Sequence, residues 1–243
     1  MTEIASAAAT NGHRLVLFDI DGTLLSAGRV ARESVLAALT RAYGWQPLPE
    51  HQDRERHDFS GKTDPQIVRE LVTETLGRDR VEEGLARALD LYLEELAERL
   101  KPDTIVLKPG VSELLGRLSA QPGVTLGLLT GNLERGARLK LEPPRLNSYF
   151  PFGAFGSDSS DRYELPAIAL ERAWKHTGWR HQGKSVVIVG DSIHDVGCGR
   201  ALGVRAVAVA TGPTSVERLA SERPDALLES FGDVDRAVEA ILS

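Results

Sequence analysis

The 243-residue sequence is poor in cysteine and in long apolar runs. Its single cysteine, Cys198, has no partner for an internal disulfide, which suits a reducing compartment such as the cytoplasm. No stretch approaches the ~20 apolar residues that cross a membrane, and the first residues lack the basic start and apolar run of a secretory signal. We therefore expect a cytoplasmic protein with no membrane partner.

An excess of basic residues is also missing. The net charge of −6 argues against a broad basic face, so we expect no nucleic-acid partner. A local basic pocket for one phosphate group remains compatible with this balance. Hydrophobic residues make up 42% and charged residues 26%, as in ordinary globular proteins, and the length suits one core domain that carries a smaller one.

Four short runs are apolar nearly throughout, which is typical of parallel strands covered on both faces. These runs are residues 14–19, 124–130, 185–191 and 205–211. Helical patterns lie between them at 110–120, 164–178 and 193–203. The alternation predicts an α/β fold with a doubly wound, Rossmann-like parallel sheet and right-handed crossovers.

The interval between the first and second predicted strands breaks this alternation. It contains three helical patterns and no convincing strand, at 30–44, 64–77 and 81–100. We expect an inserted all-helical subdomain. The predicted boundaries are 13–27 and 107–243 for the α/β core, 28–106 for the helical insertion and 1–12 for a loose N-terminal lead-in.

Polar side chains follow three of the predicted strands. They are Asp19 and Asp21 at the first, Thr130 and Asn132 (with Gly131 between them) at the second, and Asp191 with nearby Asp195 at the third. Ligands of open α/β sheets gather at these strand ends. Buried carboxylates without a partner are costly, and hard oxygen ligands suit Mg²⁺ together with a substrate phosphate. The pattern therefore predicts a Mg²⁺ site at this edge.

Phosphoryl transfer needs groups of these types. A carboxylate can attack phosphorus and form an aspartyl-phosphate, and a second one two residues away can protonate the leaving oxygen and later deprotonate water. A hydroxyl and backbone N–H groups at a helix N-terminus can hold the phosphoryl oxygens. Asp19, Asp21 and the turn at 130–132 fit these three tasks.

The motifs FDIDGTLL, LLTGN and VGDSIHD resemble motifs one, two and four of the haloacid dehalogenase superfamily, whose members are mostly Mg²⁺-dependent phosphatases. The helical insertion resembles the type-one cap of that family. In addition, DFSGKTDPQIV is similar to the cap segment of phosphoglycolate-phosphatase-like members. The resemblance covers essentially the whole chain and implies a phosphatase that acts on a small phosphorylated metabolite.

The resemblance also implies a role for each matching residue. Asp19 would be the nucleophile and a metal ligand. Asp21 would be the general acid and base, and its backbone carbonyl would bind Mg²⁺. The turn at 130–132 would bind the transferring phosphoryl group. Asp191 would ligate the metal. Asp195 would support the metal through a water molecule or through contacts to the residues that bind it directly.

One family motif is absent. Members usually supply a lysine just before the helix that here begins near Glu164, and this segment contains none. We expect Arg162 to replace it as the phosphate-binding cation, because a guanidinium is always charged and donates through a fork. Lys140 is the second candidate, ranked lower because it lies about ten residues past Thr130, far along the next helix.

Substrate selection is expected in the cap. There Lys62 is a candidate for binding an anionic substrate and Thr63 for offering a hydroxyl. We expect Asp64 to be the N-cap of a helix that opens at Pro65. The histidine-rich segment 51–59 is interpreted as a solvated loop, because its histidines lack a metal-binding spacing.

The favoured hypothesis is a Mg²⁺-dependent phosphatase that is monomeric or homodimeric. A β-phosphoglucomutase-like phosphomutase and a non-catalytic phosphate-binding protein on the same scaffold stay open as alternatives. A dehalogenase is disfavoured because its chemistry does not use an acid/base residue such as Asp21. A phosphonatase would need a cap lysine, for which Lys62 is the candidate.

Overall fold

The computed structural model describes residues 12–47 and 58–243. The strands are β1 (Arg14–Phe18), β2 (Leu25–Ser26), β3 (Val106–Leu107), β4 (Val124–Leu129), β5 (Gly153–Ala154), β6 (Val186–Gly190), β7 (Arg205–Val209) and β8 (Ala226–Leu228). The helices are α1 (Val30–Tyr43), α2 (Asp64–Leu76), α3 (Arg78–Arg99), α4 (Val111–Ser119), α5 (Glu134–Leu141), α6 (Leu165–Thr177), α7 (Ile193–Leu202), α8 (Val216–Ser221) and α9 (Val234–Leu242). The predicted lead-in, apart from its last residue, and most of the 51–59 loop lie outside the described residues.

Six strands form one parallel sheet in the order β5-β4-β1-β6-β7-β8. β1 lies near the middle, where Phe18 is aligned with Leu128 of β4 on one side and with Val189 of β6 on the other. All four predicted strands are present. The predicted α/β class with a doubly wound parallel sheet is therefore confirmed.

The apolar character of β1 follows from cover on both faces of the sheet. Successive side chains of a strand point to opposite faces. Val16 and Phe18 join an apolar cluster with residues of α4 and α9. Leu15 and Leu17 join another cluster, to which α6 contributes. Because neither face meets water, the strand needs no polar alternation.

The helices α1, α2 and α3 pack into an apolar cluster of their own. This group follows β2 and precedes β3, which pair with each other as a short antiparallel ladder. We refer to α1, α2, α3 and the loop at 58–63 as the cap, and to the sheet with its flanking helices as the core. The division at 28–106 remains a prediction that this packing suits. Within the described ranges, no helix is long and apolar enough to cross a membrane.

Candidate active site

Three neighbouring strands deliver the candidate site residues. β1, β4 and β6 run in parallel, so Asp19, Thr130 and Asp191, which directly follow these strands, meet at one edge of the sheet. Two glycines make room for Asp191. A Cβ atom on Gly22 would lie 2.3 Å from Asp191 Oδ2, and one on Gly212 only 1.6 Å from it. A side chain at either position would fill the space around this carboxylate.

A buried acidic group forms at this edge. Carboxylate oxygens of Asp19, Asp191 and Asp195 lie within 4.8 Å of one another, and all three residues are buried. Burial, reinforced by Asp195 and Asp21, outweighs the opposing charge of Arg162 and raises the pKa of Asp19 to about 7. Burial and then the charges of Asp19 and Asp195 raise the pKa of Asp191 well above its ordinary value. The group therefore favours a bound cation or proton.

The chemistry of these residues fits a divalent cation. When ionised, the three carboxylates carry three negative charges, of which the adjacent guanidinium of Arg162 compensates one. The remaining two match Mg²⁺ in charge, and carboxylate oxygens are its preferred protein ligands.

Arg162 lies in the acidic group, in a short 3-10 turn (Arg162–Glu164) just before α6. Its buried Nη2 donates to Asp19 Oδ1 at 3.1 Å and also to Asp195 Oδ1. The structure thus places the predicted substitute for the missing lysine beside the candidate nucleophile. Contact with a phosphate group stays a prediction.

Asp195 has both oxygens engaged within the protein. Its Oδ2 accepts from the backbone N–H of Ser192 at 3.0 Å and from the Ser192 hydroxyl at 2.6 Å, while its Oδ1 accepts from Arg162. Asp191 is less occupied, with Oδ1 accepting from Thr23 Oγ1 at 2.9 Å. This arrangement suits the prediction that Asp191 ligates the metal and that Asp195 supports the metal through water or through contacts to its direct ligands.

Asp21 has different surroundings from Asp19, although only one residue separates them. Its side chain is 41% exposed and lies outside the acidic group. Oδ2 accepts from Lys140 Nζ at 2.6 Å and from Asn132 Nδ2 at 2.8 Å. Asn132 Nδ2 also donates to Thr130 Oγ1 at 2.8 Å. Two carboxylates in such unlike environments are suited to two different roles.

Lys140 reaches the site, contrary to the expectation that it lies too far along its helix. Its side chain is only 3% exposed, and Nζ donates to Asn132 Oδ1 at 2.6 Å as well as to Asp21. Because α5 begins only at Glu134, Lys140 lies within two turns of the helix start. A usable signal was present, since Lys140 shares the buried face of α5 with Gly136, Ala137 and Leu141. Both candidate cations therefore lie in the site. Arg162 contacts Asp19 and Asp195, and Lys140 contacts Asp21.

The cap loop differs from the sequence-based expectation at two residues. The predicted N-cap Asp64 is wrong, because the N-cap of α2 is Thr63, whose Oγ1 accepts from Gln66 N at 3.3 Å. The Thr63 hydroxyl also donates to the backbone carbonyl of Ser160 at 2.8 Å and is fully buried. It is thus engaged in structure rather than offered to a substrate. Lys62 lines the cavity, where its ammonium pairs with Glu70.

The Asp64 carboxylate instead joins the cap to the core. Its Oδ2 accepts from the backbone N–H of Leu133 at 2.7 Å, and its own N–H donates to Gly131 O at 2.8 Å. Burial raises the pKa of Asp64 to about 6. At the same contact, a Cβ atom on Gly131 would lie 1.9 Å from the carbonyl oxygen of Lys62. The sequence did not reveal this contact.

A cavity of about 480 Å³ lies between the cap and these strand ends. The core contributes Asp19, Asp21 and Lys140, and the cap contributes Lys62, Phe59 and Tyr92. Anionic, cationic and apolar groups thus line one cavity, which is partly open to solvent. It is large enough for a small-molecule ligand.

Comparison with known proteins adds three kinds of similarity. A family model described as haloacid dehalogenase-like hydrolase matches residues 13–203. The chain is 30% identical over 222 residues to a phosphoglycolate phosphatase of Pseudomonas syringae pv. tomato, covering 90% of this chain and 77% of the relative. It is 28% identical to a phosphoglycolate phosphatase of Synechococcus elongatus, covering 93% and 98% respectively. A crystal structure of a hydrolase from Pseudomonas syringae superposes with a TM-score of 0.72 at 22% identity, covering 95% of this chain and all of that one.

Proposed function

Because the chain belongs to the haloacid dehalogenase-like hydrolase family, we propose that it is a Mg²⁺-dependent phosphatase that hydrolyses a small phosphate monoester through an aspartyl-phosphate on Asp19. The observation that carries this proposal is the different setting of two neighbouring carboxylates. Asp19 is buried against Arg162, whereas Asp21 faces the cavity and is held by Lys140 and Asn132.

The phosphatase class is the part of this account that the comparisons support directly. The predicted phosphatase class is confirmed by the family match and by relatives that cover most of the chain. Both relatives described above are named phosphoglycolate phosphatase, so 2-phosphoglycolate is the first ester to test. Dependence on Mg²⁺, the covalent intermediate and a cytoplasmic location belong to the proposal.

In the first step a carboxylate oxygen of Asp19 attacks phosphorus, and the bond from phosphorus to the leaving oxygen breaks. Arg162 holds the Asp19 carboxylate in place, and Thr130 with the backbone N–H groups of its turn binds the phosphoryl oxygens. Asp19, Asp191 and the Asp21 backbone carbonyl would hold Mg²⁺, which would supply positive charge to offset that of the phosphoryl oxygens.

Asp21 carries the proton in both halves of the reaction. It first gives its proton to the leaving oxygen, which departs as an alcohol. Its carboxylate then takes a proton from the water that attacks the aspartyl-phosphate, so that Asp19 and inorganic phosphate are released. The contacts from Lys140 and Asn132 keep Asp21 aimed at the cavity during both transfers.

The cap controls the access of water to the site during this two-step reaction. Its loop contacts the core through Asp64, and a Cβ atom on Gly61 would lie 2.5 Å from Ser192 Oγ. Such close contacts describe a closed arrangement, which excludes bulk water during transfer to Asp19. Opening of the cap then releases the alcohol and admits the hydrolytic water.

Phosphate release tests the proposal. Purified protein is given p-nitrophenyl phosphate, 2-phosphoglycolate and a panel of sugar phosphates, with Mg²⁺ or with EDTA. We expect release that requires Mg²⁺ and falls to background in Asp19→Asn. Asp103→Asn, which removes an exposed carboxylate remote from the cavity lining, is the matched control and should keep the rate.

Release that persists in EDTA or in Asp19→Asn would contradict the mechanism. No release from any ester, combined with isomerisation of a sugar phosphate, would favour the phosphomutase alternative. Binding of phosphate without either reaction would favour the non-catalytic one.

A further inference from the structure

Tyr92, in the middle of α3, combines deep burial with access to the cavity. It is 1% exposed and belongs to the apolar cluster of the cap, yet it lines the cavity that contains Asp21. Its hydroxyl makes no hydrogen bond to any described residue. The hydroxyl oxygen nevertheless keeps some exposure to solvent, unlike the fully buried polar atoms that have no partner. The hydroxyl is therefore the part of this side chain that opens into the cavity.

Tyr43 shows what a buried tyrosine of this cap does when its role is structural. Its hydroxyl donates to the carbonyl oxygen of Val81 at 2.8 Å. Buried tyrosine hydroxyls normally find such a partner, because an unpaired one loses its hydrogen bond to water without replacement. The lack of a partner for Tyr92 thus indicates a donor that is left for a ligand.

The position of Tyr92 indicates that its hydroxyl faces the leaving group of that ligand. Burial and the nearby charges of Asp64 and Asp21 keep the hydroxyl protonated, since they raise the pKa of Tyr92 well above its ordinary value. Asp21 faces the same cavity from the core and is the proposed proton donor to the leaving oxygen. The leaving group is then expected between Asp21 and the cap, in the cavity that Tyr92 also lines.

We propose that Tyr92 is a specificity-determining residue whose hydroxyl donates a hydrogen bond to an oxygen atom of the leaving group. The preferred substrates are then phosphate esters that carry a carboxylate, carbonyl or hydroxyl oxygen close to the ester bond. An ester without such an acceptor leaves the donor unpaired in the closed cavity and is discriminated against. This inference rests on the proposed phosphatase function.

The test compares matched esters in the wild type and in Tyr92→Phe, which removes one hydroxyl and little volume. Ethyl phosphate is 2-phosphoglycolate with a methyl group in place of the carboxylate, and propyl phosphate lacks the hydroxyls of glycerol 3-phosphate. We expect the wild type to favour the acceptor-bearing member of at least one pair in kcat/KM. In Tyr92→Phe that preference should fall about 10- to 100-fold for the carboxylate pair or about 3- to 10-fold for the hydroxyl pair.

Tyr43→Phe is the matched control, because it also removes a buried hydroxyl from the cap. It should lower Tm through loss of the bond to Val81 and leave the preference between paired esters unchanged. A Tyr92→Phe variant that keeps the wild-type preference, or a Tyr43→Phe variant that loses it equally, would overturn the proposal.

Binding to a protein that cannot turn over separates this inference from the proposed function. Calorimetry with Mg²⁺ measures 2-phosphoglycolate, glycerol 3-phosphate and inorganic phosphate on Asp19→Asn, with and without Tyr92→Phe. Weaker binding of an acceptor-bearing ester, but not of inorganic phosphate, supports the role of Tyr92 even if the wild type releases no phosphate. If adding Tyr92→Phe to Asp19→Asn leaves the affinity for each of the three ligands unchanged, that role is overturned even if the wild type is an active phosphatase.

Discussion

Two aspartates with only one residue between them have different surroundings, which suit the two roles that we propose for them. Asp19 is buried among other carboxylates and a guanidinium, and its pKa is raised to about 7. Asp21 faces the cavity, where Lys140 and Asn132 hold it. The motif itself indicated the pair, because carboxylates at a strand end need a cation or a reaction. Its partner Lys140 was ranked too low, because no start was predicted for the helix that carries it and its buried face was therefore not assigned.

Asp21→Asn tests the acid/base assignment at the scale of one group. The amide keeps the shape of the side chain and the backbone carbonyl that we assign to Mg²⁺, but it cannot exchange a proton. We expect kcat to fall about 10²- to 10⁴-fold. Mg²⁺ affinity, measured by calorimetry, should stay close to that of the wild type. A variant that retains the wild-type kcat would mean that another group carries the proton.

Substitutions of Arg162 test whether it replaces the missing lysine of the family. Arg162→Met leaves two buried carboxylates without their cation, so we expect a loss of about 3–5 kcal/mol in the free energy of unfolding and little activity. Arg162→Lys keeps the charge and should recover part of both. Urea unfolding and phosphate release measure the two effects. Equal activity of the Met and Lys variants would argue against a role for this charge.

The raised pKa of Asp19 predicts how pH affects the metal-free protein. Because the folded state holds this proton more tightly than the unfolded chain, the contribution of Asp19 to stability is largest at low pH and falls as pH rises from about 4 to about 7. In EDTA, Asp19→Asn should therefore gain stability relative to the wild type between pH 5 and pH 8, by an amount on the order of a few kcal/mol. Urea unfolding at several pH values measures this difference. Parallel profiles for the two proteins would contradict the prediction.

At the scale of helices and strands, the sequence was informative where elements are long and uniformly apolar. The four predicted strands are central to the sheet and are covered on both faces, which is why their sequences carry the pattern. The edge strands β5 and β8 have two and three residues, too few to show any periodicity. The helix expected after Thr130 was given no start, because four of the eight residues of α5 are charged and no apolar run marks it. Lys140 was therefore ranked too low.

Gly131→Ala tests the contact between the cap loop and the turn after β4. The added methyl group would lie 1.9 Å from the backbone carbonyl oxygen of Lys62, so the cap loop must move away from the core. We expect kcat/KM to fall more than about 10-fold, because a 1 Å misplacement near the reacting groups is costly. Hydrogen exchange in the loop at 58–63 should accelerate.

Gly116→Ala provides the matched control for that change. Gly116 lies inside α4, where the nearest atom to an added Cβ is 3.9 Å away, so alanine fits without displacement. Activity and exchange should match the wild type. Normal activity in Gly131→Ala would show that the cap does not need this close approach.

At the scale of the whole molecule, the candidate site forms where the cap lies over the strand ends. The core and the cap could each be predicted from the sequence, because each has its own apolar pattern. Sequence motifs did not predict how the two parts meet. The bond from Leu133 to Asp64 joins residues 69 positions apart, and the donor that Tyr92 presents to the cavity depends on how α3 packs. Such contacts follow from the orientation of two packed units, which local patterns do not encode.

The most direct measurement is detection of the covalent intermediate. The enzyme is mixed with Mg²⁺ and its best ester, quenched in acid within one turnover and digested for mass spectrometry. We expect the peptide that contains Asp19 to carry the mass of one phosphoryl group in the wild type and none in Asp19→Asn. Rapid phosphate release with no phosphorylated peptide at any time, and with the rate retained in Asp19→Asn, would contradict an aspartyl-phosphate mechanism.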